Sequence, residues 1–158
     1  MKKMTPWGVG PKIMFPGYAI LIVFSWLPIK VNISEILYIP RTYLTIAAII
    51  LIGIGILILA AANADIRQAL KANRLITTGL YSRIRNPMYT SHIFFIMPGT
   101  CLLTNNIVVF LSLLFTFIFF NILIPKEEKD LEDNFGGEYL RYKARTRRLL
   151  PKLLKTDK

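Results

Sequence analysis

The sequence predicts an all-α integral membrane protein. Of its 158 residues, 54% are hydrophobic, and the mean hydropathy is +0.48, which is high for a soluble domain of this size. Four apolar stretches approach or reach the roughly 20 residues that a helix needs to cross a bilayer. They lie at 13–29, 43–62, 88–103 and 107–124. Because backbone polar groups cannot stay unpaired in hydrocarbon, all four are expected to be helices, in one membrane domain over residues 1–158.

Each predicted helix has recognisable boundaries. Gly53 and Gly55 in the second span are typical of close helix packing, not of a phosphate-binding loop. Good helix formers follow this span, so its helix is expected to continue beyond the bilayer and to stop at Asn73. The third helix is expected to begin near Pro87, and residues 104–106 form a tight turn before the fourth.

The tail after the fourth span combines helical spacing with many charges. Apolar and aromatic side chains recur at three- and four-residue intervals over 126–148, and the pair Gly136 and Gly137 favours an interruption there. Residues 149–151 and the basic run after them are typical of an amphipathic segment that returns to the membrane surface.

The net charge of +11 follows the predicted topology and forms no single patch. The N-terminus, the loop at 63–85 and the tail from Lys126 carry eighteen Lys and Arg residues, whereas the loop at 30–42 carries two. The positive-inside rule therefore places both termini in the cytoplasm. A nucleic-acid partner is not expected, and the lack of disulfides suits a prokaryotic inner membrane.

The constellations of common soluble enzymes are missing from the sequence. It contains one histidine, His92, and one cysteine, Cys101, so a Cys/His zinc site is not expected. No glycine-rich loop follows a strand, which argues against a Rossmann-type cofactor domain. His92 lies one turn into a span, where a packing role is the commoner one.

Several short motifs in the C-terminal half closely resemble the isoprenylcysteine carboxyl methyltransferase family and its phospholipid methyltransferase relatives. The similarity covers residues 73–151, with the motifs in the same order. The motifs are Leu75-Ile76-Thr77-Thr78-Gly79-Leu80-Tyr81, Arg85-Asn86-Pro87-Met88-Tyr89, Glu127-Glu128 with Leu131, and Phe135-Gly136-Gly137-Glu138-Tyr139 with Tyr142. The second motif opens a helical hairpin and the third closes it, which is the context that such motifs require.

The resemblance implies a membrane enzyme that binds S-adenosylmethionine in a cytosol-facing pocket and methylates a lipophilic or lipidated acceptor that enters from the bilayer. Methyl transfer is an in-line displacement at a sulfonium, so alignment and a polar cradle for a cation are the enzyme's main contributions. Glu127 and Glu128 are the catalytic candidates. The implied cofactor-binding residues are Asn73, Arg74, Leu75, Ile76, Tyr81, Asn86, Pro87, Met88, Tyr89 and Glu127.

Two positions depart from the family pattern. Asn86 stands where the family usually has histidine, and it can form hydrogen bonds but cannot titrate. Leu123 stands where enzymes that act on prenylcysteine carry an arginine, so a counter-ion for a substrate carboxylate is missing unless Lys126 or Arg83 supplies it. A phospholipid-like amine acceptor would need a base instead, for which Glu128 and Glu138 are candidates.

Two other classes of protein stay open at this stage. Membrane sterol reductases have a similar proline-tyrosine loop after an arginine and use a nicotinamide cofactor, although their cores are usually larger. A small non-enzymatic membrane protein is the third alternative, but it gives no reason for the paired motifs. The sequence leaves the methyl acceptor and the oligomeric state undetermined.

Overall fold

Helices make up most of the 15–23, 26, 37–72 and 74–151 segments that the computed structural model describes. Residues 15–23 form helix α1, and α2 spans Arg41–Lys71. The third helical rod consists of α3 at Pro87–Ser91, a π-helical turn at His92–Ile96 and α4 at Met97–Thr104. Helix α5 spans Ile107–Phe135 and α6 spans Gly137–Arg145. No strand occurs in these segments, so the predicted all-helical fold is confirmed there.

Two helices are long and apolar enough to cross a membrane, one within Arg41–Ala69 and the other within Val109–Phe135. Both expose large apolar side chains along their lengths, for example Ile49 and Leu57 on α2 and Leu114 on α5. A water-exposed surface of this kind would be unfavourable, whereas in a bilayer it contacts lipid. These helices correspond to the second and fourth predicted spans and indicate a membrane protein.

The other two predicted spans stay predictions as membrane crossings. Much of the first span lies outside the described residues, which include only 15–23 and 26 of it. The third span is helical from Pro87 as expected, but the π-helical turn divides it. A π-helical turn shifts the register of the faces before and after it, and such turns often lie near functional sites.

Small residues bring the second and third helical rods close together. A Cβ atom on Gly55 would lie 2.6 Å from Cγ1 of Ile96, and one on Gly99 would lie 2.6 Å from Cγ1 of Ile52. Both glycines therefore allow contact that a larger residue would block, as predicted for Gly55. At Gly53 a Cβ atom would meet no atom of the described residues within 4 Å, so the structure shows no close packing at that glycine.

Asn105 closes the hairpin between α4 and α5. It adopts the left-handed conformation, with φ at 48°, and its amide both donates to the carbonyl oxygen of Leu37 and accepts from the Leu37 N–H, at 3.0 Å each. Asparagine tolerates this conformation better than most residues do. The turn thus anchors the chain that leads into α2 at the end of the bundle opposite the polar loop.

At the other end of the bundle, α2 and α5 extend past their apolar stretches. Helix α2 reaches Lys71, close to the predicted stop, and α5 continues through Pro125 to Phe135. Gly136, with φ at 51°, then breaks the helix before α6, which confirms the predicted interruption. The loop between α2 and α3 lies between these extensions and contains most of the predicted site residues.

Candidate functional site

The loop before α3 is folded back onto the extension of α2. Its 3-10 turn, Gly79–Ser82, is held by Asp65 of α2, whose carboxylate accepts the Leu80 N–H at 3.3 Å. Gly79 has φ at 60°, and a Cβ atom there would lie 2.1 Å from the Asp65 carboxylate. Only glycine fits both restraints without strain. The glycine in this motif therefore serves the fold of the loop.

Aromatic residues of α6 pack under this loop. Leu75 forms a buried cluster with Tyr139 and Tyr142. The Tyr142 hydroxyl donates a hydrogen bond of 2.8 Å to the main-chain oxygen of Tyr81, which is itself buried. Burial raises the pKa of Tyr81 and Tyr142 above the usual tyrosine value and raises that of Tyr139 to about 12. All three phenols are therefore neutral at physiological pH.

The first turn of α3 begins at the predicted residue. Asn86 precedes the helix, Pro87 occupies its first position and is buried, and Met88 is half-buried. Proline suits this position because its missing N–H would have no helical partner there. The side-chain nitrogen of Asn86 is buried and has no hydrogen-bond partner among the described residues. A buried amide donor without a partner is unusual and calls for a specific explanation.

Tyr89 and Glu127 join α3 to α5. The Tyr89 hydroxyl donates to a Glu127 carboxylate oxygen at 3.0 Å, while its ring packs edge-on against Phe120 at 5.2 Å between ring centroids. Tyr89 belongs to a buried apolar cluster with Ile93, Phe120 and Ile124, against which Leu123 packs. The structure thus brings together two of the predicted site residues that are 38 positions apart in the sequence.

Glu128 has different surroundings from its neighbour Glu127. It is 4% exposed, and Arg85 contacts one of its oxygens through Nε at 3.2 Å and Nη2 at 3.0 Å. Arg148 donates to both oxygens, at 3.0 and 2.9 Å, and the Lys143 ammonium lies 3.6 Å away. Three cations therefore surround this carboxylate and favour its ionised form.

The tail ends against the start of α3, in an arrangement that we call the clasp: residues 84–86 and 146–149 together with Glu128. Ile84 and Arg147 pair as a parallel bridge; the N–H of Arg85 donates to the Arg147 carbonyl at 2.7 Å and that of Asn86 to the Arg148 carbonyl at 3.0 Å. The Arg85 guanidinium also donates to the carbonyls of Lys143 and Thr146.

The sequence did not predict these contacts of the tail. The prediction that residues 149–151 return to the membrane surface stays a prediction; the structure adds that the Thr90 hydroxyl donates to the carbonyl of Leu149 at 2.7 Å. Arg85 lay inside a quoted motif, which was the one available signal. Arg148 gave none, because it stands in a run of basic residues that resembles a solvated tail.

The remaining predicted cofactor residues are less informative. Asn73 lies outside the described residues, Arg74 is exposed and Ile76 is half-buried. His92 Nδ1 donates a hydrogen bond to the Met88 carbonyl at 2.8 Å and the ring packs against the Tyr18 ring, in agreement with a packing role. Within the part of the chain that the structure describes, no group of three potential metal-binding side chains occurs.

A cavity of about 350 Å³ lies between the 3-10 turn and α6. None of the predicted cofactor-binding residues lines it, but Glu138, a candidate base from the sequence, does. Its walls are Thr77, Ser82, Glu138, Arg141, Tyr142, Arg145 and Thr146. Two guanidinium groups and one carboxylate give it the character of a site for a molecule that carries both charges. Tyr142 connects it to the site residues through the hydrogen bond to Tyr81.

Together, the fold and these contacts define a helical membrane protein with a polar site where a loop, α5 and the tail meet. The sequence model of the phospholipid methyltransferase family matches residues 43–138, which is well over half of the chain. The protein therefore belongs to the phospholipid methyltransferase family, as the motifs predicted. Comparison with curated proteins gives no match. The matched range includes Tyr89, Glu127 and Glu128 but not the tail half of the clasp.

Proposed function

We propose that the protein transfers a methyl group from S-adenosylmethionine to the amine of a phospholipid. Membership of a methyltransferase family supports the reaction class. The proposal depends mainly on the side-chain nitrogen of Asn86, which is buried and has no hydrogen-bond partner among the described residues. Asn86 lies one helical turn before Tyr89, whose hydroxyl donates to Glu127. The three residues offer a donor, an aromatic face and a carboxylate, which suit a polar cofactor with a cationic centre.

When bound, S-adenosylmethionine supplies an electrophilic methyl group on a sulfonium. In the proposal, Glu127 contributes negative charge beside that cation, and the Tyr89 hydroxyl fixes the carboxylate rotamer through its 3.0 Å hydrogen bond. The side-chain amide of Asn86 donates hydrogen bonds to the cofactor. The cavity of about 350 Å³, which Tyr142 links to Tyr81, provides room within the range typical of small-molecule sites. Arg141 and Arg145 offer partners for the carboxylate of its amino-acid end.

Glu128 is not the base in the proposed reaction. Both of its oxygens accept hydrogen bonds from Arg148, and one also accepts from Arg85, so it is poorly suited to take a proton from an amine. Glu138 is exposed and lines the cavity, which makes it the better candidate base for an amine acceptor.

The surroundings of Leu123 favour an amine over a carboxylate acceptor. Leu123 packs against the buried cluster that contains Tyr89, one helical turn before Glu127. An apolar side chain there cannot neutralise the carboxylate of a prenylcysteine, whereas an amine needs no cation at that position. We therefore propose a phospholipid amine, reached from the bilayer, with both termini of the protein in the cytoplasm.

The test is the binding of S-adenosylmethionine to the detergent-purified protein by calorimetry, with NADPH as the control for a reductase. We expect S-adenosylmethionine alone to bind. Glu127→Gln and Tyr89→Phe should each weaken binding by about tenfold, the typical effect of losing one charge-assisted hydrogen bond. Asp130→Asn is the matched control, because Asp130 is exposed on the same helix. This variant should bind the cofactor like the parent.

A second assay identifies the acceptor. Purified protein in vesicles receives S-adenosylmethionine with a labelled methyl group, and the lipids are separated afterwards. If label is found in phosphatidylethanolamine and not in a carboxylate-bearing prenylcysteine analogue, the result supports an amine as the methyl acceptor. Label in the prenylcysteine analogue alone would refute it, and binding of NADPH without S-adenosylmethionine would refute the reaction class.

A further inference from the structure

The clasp fixes the start of α3 by contacts that do not depend on the apolar core. Two consecutive main-chain N–H groups, those of Arg85 and Asn86, donate to carbonyls of the tail at 2.7 and 3.0 Å. The Thr90 hydroxyl adds a third link, to Leu149 at 2.7 Å. The chain on both sides of the Asn86 side-chain nitrogen, which has no hydrogen-bond partner among the described residues, is thus held by residues 147–149. The position of that amide therefore depends on where the tail lies.

Glu128 ties the clasp to α5 at the residue next to the proposed site. Arg148 donates to both of its oxygens and Arg85 to one, at 2.9 to 3.2 Å. Because adjacent residues of a helix share a rigid backbone, fixing Glu128 also fixes the Cα position of Glu127. This carboxylate therefore adds to the apolar cluster around Tyr89 in setting the distance between the two walls of the site, the start of α3 and helix α5.

We propose that Arg148 is a positioning residue for the cofactor site. Through Glu128 and the main-chain hydrogen bonds of the clasp, it holds α3 against α5 at the spacing that cofactor binding needs. This inference rests on the proposed function, and it assigns a role to a residue outside both the family match and the predicted site. Preorganisation of this kind raises affinity by reducing the loss of conformational freedom on binding.

Three variants test the proposal. Arg148→Gln removes the charge and the two-point contact, and we expect its Kd for S-adenosylmethionine to rise by about tenfold. Arg148→Lys keeps the charge and one donor and should recover part of that loss. Arg147→Gln is the matched control: it makes the same charge change in the adjacent, exposed side chain, while its main-chain link to Arg85 is retained. It should bind like the parent.

Two readouts separate positioning from a general loss of stability. Molecules lost to irreversible unfolding would lower the fitted number of binding sites and leave Kd unchanged, whereas a misplaced wall raises Kd itself. Hydrogen exchange followed by mass spectrometry should also show faster exchange in a peptide covering residues 84–90 of Arg148→Gln, before any cofactor is added. In Arg147→Gln, exchange of that peptide should match the parent.

The outcomes distinguish this inference from the function on which it rests. If the parent binds S-adenosylmethionine and Arg148→Gln has the same Kd as Arg147→Gln, the positioning role is wrong and the proposed function stands. If the parent binds no S-adenosylmethionine, the proposed function is overturned and the positioning role with it. A raised Kd in Arg148→Gln, partly restored by lysine and accompanied by faster exchange at 84–90, supports the proposal.

Discussion

Replacing Glu128 with alanine should be among the most destabilising changes on the polar side of the protein. The carboxylate is 4% exposed, and the side chain of its partner Arg85 is 10% exposed. Removing one member of a buried ion pair leaves the other charge without a counter-ion and costs about 3–5 kcal/mol. Arg85 keeps two carbonyl acceptors, on Lys143 and Thr146, so we expect the lower end, about 3 kcal/mol.

The partners of Glu128 on the tail should matter less. The Arg148 side chain is 40% exposed, and water can solvate its charge once the clasp opens. Arg148→Ala should therefore cost about 1 kcal/mol or less. Glu132→Ala serves as a control, since Glu132 is half-exposed and its ion pair within the described residues is with Lys143 alone, at 3.7 Å. Its effect should be smaller still.

The measurement is the free energy of unfolding in mixed micelles, titrated with SDS and followed by tryptophan fluorescence. Glu128→Ala should lower it at least about three times as much as Arg148→Ala does. Equal losses in the two variants would show that burial of Arg85 does not set the energy and would refute the reasoning.

Two further predictions concern the loop and α6. Tyr139→Phe should leave the stability unchanged or raise it by about 1 kcal/mol, because the buried Tyr139 hydroxyl has no partner among the described residues. Burial raises the pKa of Tyr139 to about 12, so the parent should lose stability as pH rises from about 10 towards 12. The phenylalanine variant should lose less stability over this range, as measured by unfolding at each pH. Gly79→Ala should lower the melting temperature more than Gly136→Ala: both positions have positive φ, but only at Gly79 would a Cβ atom meet another side chain, that of Asp65 at 2.1 Å. Equal shifts in the two alanine variants would contradict the steric argument.

The helices and the loop boundaries followed from local sequence because their causes are local. Runs of isoleucine and leucine favour a helix in the bilayer wherever they stand, and Pro87 and Gly136 end or begin helices through their own backbone geometry. The family resemblance assigned Tyr89 and Glu127 to one cofactor pocket, which stays a prediction, but it did not predict the hydrogen bond between their side chains. Gly53 shows the limit of the local argument, since its packing role depended on which side of α2 faces α4.

The sequence could not predict which of Glu127 and Glu128 contacts Tyr89 and which contacts the two arginines. Adjacent helical residues point about 100° apart, so one faces Tyr89 and the other faces Arg85 and Arg148, but which is which depends on the rotation of α5 in the bundle. The cavity beside α6 was likewise unpredicted, because its walls come from three separate stretches of chain.

The sequence by itself determined the helical membrane character, the position of the polar loop and the family, because hydropathy, proline and glycine signals and short motifs act over a few residues. Only the tertiary structure decided that the tail returns to the start of α3 and that Arg148 contacts Glu128, 20 residues earlier. Such contacts depend on how helices pack and where Gly136 redirects the chain. A run of basic residues contains no information about which of its members will meet a buried carboxylate.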